Sequence, residues 1–362
     1  MNKTTNLMIG AIAAATLSTT ALAQTTITVS TWAGPNHGIN TIVWPTWKAW
    51  IEEATEGRVT VEVIHDMGPP ASQMEMVADG IADATWVFHG YNTGRFQLTK
   101  LPEFPTFQEF SSENASSAYW HTHQEYLAAA GEHRGVDVVA AGVHGPGWIF
   151  SSEQYETLED LKGKRIRVGG GVMGDLSNAL ELTGVALPPT GVYEAGSQGV
   201  IDGAMLVPEG LRSFRVAEIF PYTLTVDGGF YRGSFTIVVN PMIWDEMSPE
   251  DREAVESVSG ERLSRLFGYM MDVVDVRGVD FAEELGHTFT ELGDEDLNTL
   301  KSMSDSMIAE WAESVSENRN VDAMAAIEFY REQLVAAAEE ESVSSLVPDE
   351  FVSGESLPDD TQ

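Results

Sequence analysis

The chain has no cysteine among its 362 residues, so disulfides, thiolate metal centres and cysteine nucleophiles are excluded by composition. Basic side chains are scarce, with 20 Lys and Arg against 56 Asp and Glu. A surface that acidic repels phosphate backbones and anionic lipid, which removes nucleic acid and negatively charged membranes from the candidate partners. Beyond residue 23 no run approaches the roughly eighteen apolar residues that a spanning helix requires. G-x-S-x-G, H-E-x-x-H and P-loop sequences are also missing, so the common signatures of serine hydrolases, zinc proteases and nucleotide hydrolases give no support for an enzyme. Carboxylate pairs abound in so acidic a chain and discriminate nothing, which leaves a periplasmic hydrolase of unfamiliar type as an alternative.

What is present begins with an export signal. Residues 1–23 hold one charge, Lys3, then an apolar run over 7–17, and end in Ala21-Leu22-Ala23 before Gln24. A basic start, a short apolar stretch and a small-residue cleavage site predict a secretory signal peptide and a periplasmic destination. The remaining chain, about 340 residues, is long enough for two lobes with separate cores.

Residues 26–30, 59–64 and 84–88 read as strands, with helices over about 44–57 and 73–79 between them. This βαβαβ run predicts a first lobe at the mature N-terminus. A helix is expected over 114–130. Its His121 and His123 stand two apart, point to different sides and cannot chelate one ion. A strand over 136–143 leads to His144-Gly145-Pro146-Gly147-Trp148, expected as the first crossover between lobes with Trp148 facing the cleft. Gly228 and Gly229 ahead of Phe230 and Tyr231 predict a second crossover. Neighbouring residues of an extended segment alternate in direction, so at most one of those two aromatics should face a ligand. Strands are expected near 223–226, 234–239 and 287–292, one long helical pattern from 249 to about 285, and two helices over 294–316 and 322–341. Residues 342–362, rich in serine, proline and acid, predict a disordered tail. The fold class is α/β, with lobe I from 24–144 and 234–274 and lobe II from 145–233 and 275–341.

The most informative stretch is 161–209. It predicts a strand over 164–168, a glycine bend, a helix, a short apolar segment, a second helix near Val192 and a strand near 204–207, which is two βα units in tandem. Arg167 stands at the carboxyl end of the first strand, where open α/β sheets bind ligands. In a chain so poor in bases, Lys162, Lys164, Arg165 and Arg167 fall within six residues, which makes Arg167 the first candidate for holding an anion. Gly169, Gly171 and Gly174 satisfy G-x-G-x-x-G, but a dinucleotide strand is normally apolar and opens its domain, whereas this one is mid-chain and carries two arginines. No cofactor is expected. The glycines are better suited to leaving room beside Arg167, Gly169 first among them, and to offering backbone N–H groups toward an anion at a helix N-terminus. The loop 89–105, also at a strand's carboxyl end, adds Tyr91 and Arg95 as pocket candidates.

LKGKRIRV, a helix, and then LPPTGVYEAGSQGVIDGAMLVPE together resemble the signature block of the DctP-type solute receptors of tripartite ATP-independent periplasmic (TRAP) transporters. The loop containing Tyr91 and Arg95 resembles the GYxPGRFPLT-type loop of a subgroup. The resemblance runs from about residue 26 to 341. It implies a two-lobe periplasmic binding protein, type II-like, with a long helix across both lobes, and an arginine at position 167 that clamps a ligand carboxylate. It also implies docking of the loaded receptor on the small and large membrane subunits of the transporter. The chain departs from the family at Ala204-Met205-Leu206, where many members carry a glutamine, a glutamate and an asparagine. Met205 then stands in the pocket strand in place of a polar residue.

The chemistry expected is capture of a small carboxylate by a monomeric receptor. Arg167 supplies the anion site, with Arg95 as a possible second clamp, and Trp32, Tyr91, Trp148 and Phe230 or Tyr231 supply apolar or aromatic walls. This suits an aromatic or branched oxo or hydroxy acid. It also suits a zwitterionic osmolyte whose cationic end stacks on indoles. A receptor for an ATP-driven (ABC) transporter is the alternative within the same gross shape.

Overall fold

The computed structural model describes residues 24–353 except Thr93. The expected signal peptide and the end of the acidic tail lie outside the described residues. Each element forms where one face can be buried. In β1 (Thr25–Thr31) Ile27 and Val29 point inward. In α1 (Trp44–Ala54) Trp44, Trp47 and Ile51 recur at helical spacing on the buried face, with Pro45 in the first turn, where its missing N–H costs nothing. β2 (Val59–His65), α2 (Gln73–Ala78) and β3 (Ala84–Phe88) complete the βαβαβ run. All five residues of β3 are buried, as a central strand requires.

The first connection back along the sheet is α3 (Ser112–Thr122), shorter than the helix expected because the chain relaxes into a π turn at 123–127 and a 3₁₀ turn at 128–130. Its start is held twice. The Ser111 hydroxyl accepts the Asn114 N–H, and the Asp272 carboxylate accepts those of Ser112 and Glu113 at 2.7 and 3.1 Å. β4 (Asp137–Val143) follows. The chain then enters a second sheet with β5 (Trp148–Ser151), β6 (Arg165–Val168), α4 (Gly171–Ala179), β7 (Thr183–Ala186), α5 (Val192–Ser197), β8 (Gly203–Leu206), α6 (Glu209–Ser213) and β9 (Tyr222–Thr225). It returns with β10 (Ser234–Val239), which inserts antiparallel between β3 and β4. The sheets are therefore β2-β1-β3-β10-β4 and, with β11 (Thr288–Glu291) on its edge, β11-β9-β5-β8-β6-β7.

The two crossovers are bonded to each other. Gly147 N–H donates to the Tyr231 carbonyl at 2.8 Å and Phe230 N–H to the Gly147 carbonyl at 2.9 Å. A side chain on Gly147 would strike the Tyr231 ring, so the bare backbone there fixes where that ring stands.

The single helix expected over 249–285 is two. α7 (Pro249–Ser257) is capped by Ser248, and the chain breaks at Gly260, whose φ of 62° lies in the left-handed region, before α8 (Glu261–Glu284) begins. α8 lies across both lobes, against α3 and β4 of the first and α6 of the second. Close approach is possible because Gly268 sits on the Ser112 carbonyl and Gly278 on the Pro208 carbonyl, with no room for a Cβ at either. The two glycines are ten residues apart, about 15 Å along the axis, so one helix is pinned to both lobes.

α9 (Asp294–Arg319) carries Trp311, buried in the core, with its indole N–H donating to the Gln97 carbonyl at 2.7 Å. α10 (Ala323–Ala337) packs on α3, so it covers the first lobe although the expected boundary puts residues up to 341 with the second. The tail is ordered through its first part. Ser342 and Val343 donate to the Glu113 carboxylate at 2.7 and 2.8 Å, Trp50 donates to the Leu346 carbonyl at 3.0 Å, and Val343 and Val347 are buried, ahead of α11 (Asp349–Ser353). Two valines and a buried acid outweigh a composition that otherwise predicts disorder.

Candidate functional site

The carboxyl ends of β1 and β3 in one lobe and of β6 and β8 in the other face a common narrow cavity of about 50 Å³. Arg167, the third residue of β6, reaches it from below. The side chain is only 2% exposed. Its Nε donates to the Leu187 carbonyl just beyond β7 at 2.8 Å, and Nη1 donates to the Met205 carbonyl on β8 at 2.9 Å. The guanidinium thus bridges the two strands that flank its own, and its remaining N–H groups lie toward Gly169 and Tyr91. A Cβ on Gly169 would stand 3.1 Å from Nη2, so this glycine does leave room beside the cation. Burial pushes the Tyr91 hydroxyl up to about 12, opposed by the charge of Arg167 and by a hydrogen bond with it. Among the described residues no carboxylate pairs with Arg167, whereas Arg165 is bound to Asp202.

The walls are aromatic. Trp32 at the end of β1 stacks on Trp86 of β3, with ring centroids 4.2 Å apart and planes within 5°. Tyr91 meets Trp32 edge-on at 6.0 Å and Phe88 at 4.7 Å. Phe214 and Phe235 also line the space, and Tyr231 closes it from the second crossover.

Three polar side chains complete the lining. His144 opens the first crossover, and its Nδ1–H donates to the Gly145 carbonyl at 2.7 Å; burial pushes this imidazole down to about 3. Glu209, at the first turn of α6, is buried, and its own N–H donates to Asp275 on α8 at 2.7 Å. His37 faces Glu209 from the first lobe, Nε2 to Oε1, at 3.2 Å. Burial lowers the His37 pKa and the Glu209 charge acts against that.

Arg167, Trp32, Tyr91 and Tyr231 therefore meet at one cavity, and the rest of the expected set does not. Arg95 lies outside: its Nε donates to the Glu132 carbonyl at 2.9 Å, Nη2 to the Arg134 carbonyl at 3.0 Å, and it pairs with Glu75, all within the first lobe. Trp148 turns away from the cavity onto Phe289, 6.1 Å between centroids, because the pleat of β5 directs it to the outer layer of its lobe. Phe230 is wholly buried in the core, which leaves Tyr231 as the one of the pair at the cavity. Met205 contributes its carbonyl while its side chain is buried in the core, and Leu206 takes the lining position.

The glycine-rich helix start is also occupied from within. The Gly169 N–H points to the Met173 sulfur at 2.9 Å, and the Val172 N–H donates to Glu103 of the first lobe at 2.7 Å. The acid at this helix start is therefore one that the chain itself supplies. Glu103 is buried, accepts a second bond from Ser234 at 2.7 Å and has its pKa pushed up by burial to about 7. It is a contact from lobe to lobe.

His37, Trp86, His144 and Glu209 carry no motif. A positional signal existed for two of them: Glu209 follows β8 and Trp86 lies on β3 at the same carboxyl edge that singled out Arg167 and Tyr91.

The family model for bacterial extracellular solute-binding protein, family 7 (DctP), matches residues 29–314. The chain belongs to this family. A TRAP periplasmic solute-binding protein from Bordetella bronchiseptica, solved with bound (R)- and (S)-mandelate, is 30% identical and superposes with a TM-score of 0.83, covering 86% of this chain and 99% of that one. A TRAP solute-binding protein from Rhodoferax ferrireducens T118, in complex with copurified benzoate, shares 24% identity and the fold, with a TM-score of 0.81 over 87% of this chain and 99% of that one. Outer membrane transporter protein TsaT of Comamonas testosteroni is 28% identical over 331 residues, 90% of this chain and 96% of its own length. This DctP-family chain is thus a TRAP-type solute receptor of two-lobe fold.

Proposed function

We propose that this receptor captures an aromatic or branched oxo or hydroxy acid in the periplasm, with the ligand carboxylate on Arg167, and delivers it to the membrane subunits of a TRAP transporter. The observation that carries this reading is a buried guanidinium with no acid of its own. An unpaired buried charge costs several kcal/mol, and an entering carboxylate would offset that cost while forming short charge-assisted hydrogen bonds. Backbone carbonyls already orient the planar group, so little ordering entropy opposes the bond. Closure of the lobes around α8 would exclude water and strengthen the pair.

The stacked indoles, Tyr91 and the phenylalanines would hold an apolar ring or branch, and the mandelate-binding relative from B. bronchiseptica supports an aromatic hydroxy acid. With Arg95 outside the cavity, the second clamp that a C4-dicarboxylate would need is not supplied by that residue. Thermal-shift screening of the purified protein against organic acids and zwitterionic osmolytes tests the reading. It predicts stabilisation by monocarboxylates, and a panel in which no carboxylate raises Tm would overturn it.

A further inference from the structure

Capture of a carboxylate leaves one cavity residue without a purpose. Glu209 is a buried acid on the wall of a site built for an anion, and a purely structural buried carboxylate is normally fully hydrogen-bonded. Its Oε1 has no hydrogen bond of good geometry among the described residues, although His37 Nε2 lies 3.2 Å away. His37 Nδ1 accepts the Ile39 N–H at 3.1 Å, so the neutral ring carries its proton on Nε2, the nitrogen that faces Glu209. The two residues come from opposite lobes and meet across the cavity. The neighbouring Trp32 and Trp86 indole N–H groups and the Tyr231 hydroxyl have no partner among the described residues either.

We propose that Glu209 and His37 form a second polar subsite that reads a hydroxyl on the solute, so that the receptor selects hydroxy-monocarboxylates and rejects dicarboxylates. The inference rests on the reading that Arg167 holds the carboxylate. A hydroxyl both donates and accepts: it gives its hydrogen to Glu209 and takes one from His37. An unsubstituted acid leaves both groups unpaired beside an apolar surface, which is how a site discriminates against an analogue that lacks one polar group. A second carboxylate would be buried against the charge of Glu209. An ammonium brings donors only and would meet the His37 N–H and the unpaired indoles.

The test is titration calorimetry of the purified receptor with matched pairs: mandelate and phenylacetate, 3-hydroxybenzoate and benzoate, 2-hydroxyisocaproate and isocaproate. Phenylglycine and phenylmalonate are added as ammonium and dicarboxylate probes. At least one hydroxy acid is expected to bind about tenfold or more tighter than its parent, with phenylmalonate undetected. In Glu209→Gln that ratio should shrink to about threefold or less, and in His37→Asn it should shrink as well, which guards against one variant failing to fold. Parents binding as well as hydroxy acids, an undiminished ratio in folded Glu209→Gln, or phenylglycine outcompeting mandelate would each overturn the subsite while leaving Arg167 in place. Failure of every monocarboxylate in the wild type would instead remove the Arg167 reading itself.

Discussion

The two ends of β6 carry the same side chain to opposite fates. Arg165, at the amino end, is exposed and holds Asp202 through Nε at 3.0 Å and through Nη2, with Nη1 on the Gly199 carbonyl at 2.8 Å. Arg167, two residues on and on the same face, is buried and bonded to two backbone carbonyls and the Tyr91 hydroxyl, with no carboxylate partner among the described residues. Where the chain provides the acid, the arginine is a surface tie of small energetic consequence. Where the chain buries the cation and withholds the acid, the cation is left for the proposed ligand carboxylate to neutralise.

Replacing each arginine in turn sharpens this contrast, and the largest effect belongs to Arg167→Ala. Loss of one partner of a buried charge pair costs about 2–5 kcal/mol, so binding of a hydroxy acid should disappear in calorimetry while circular dichroism shows the fold retained. A smaller effect follows from moving the wall instead of the cation. In Gly278→Ala the new methyl group meets the Pro208 carbonyl and lies 3.1 Å from the Glu209 nitrogen, so α6 must shift away from α8. Overpacking of this kind costs about 1–3 kcal/mol, readable as a lower Tm, and affinity should fall with it.

The pH dependence opposes two sets of groups. Burial lowers His144 to about 3 and His123 and His287 to about 4, so the stability tied to their neutral forms is present above the ordinary histidine value of 6.5 and is lost as pH falls below it. Glu103 behaves oppositely. Its folded value near 7 lies above the ordinary 4.5, so its contribution is full below 4.5 and is lost as pH rises through 7. Unfolding curves between pH 6 and 8 should show a decline that is reduced in Glu103→Gln. An unchanged slope would remove Glu103 as a titrating contact between lobes. The smallest effect is expected for Asp202→Asn, which releases Arg165: binding should not change and Tm should move little, and a loss of affinity there would erase the contrast between the two arginines.

Much of the fold was legible because strands and helices alternate with clear periods, and β3 and β10 fall on the residues expected. The break at Gly260 was not, since a glycine within a helical pattern is ambiguous until its φ is known. That Arg167 and Tyr91 stand at the cavity was legible from their position at the carboxyl edge of a strand. Arg95 shared that position and failed because its direction depends on carbonyls of 132 and 134, distant in sequence and unmarked by any pattern. Glu209 was hidden for another reason: in a chain with 56 acids, composition cannot tell the buried one from the solvated rest.

The charge of the captured group matters most in the proposed mode of binding, and comparing mandelate with mandelamide by calorimetry on the wild-type receptor tests it most directly. The two differ little in shape, but only the acid can neutralise Arg167. The acid is predicted to bind at least about a hundredfold more tightly than the amide. Equal affinities would contradict the claim that a buried, unpaired guanidinium is what captures the solute.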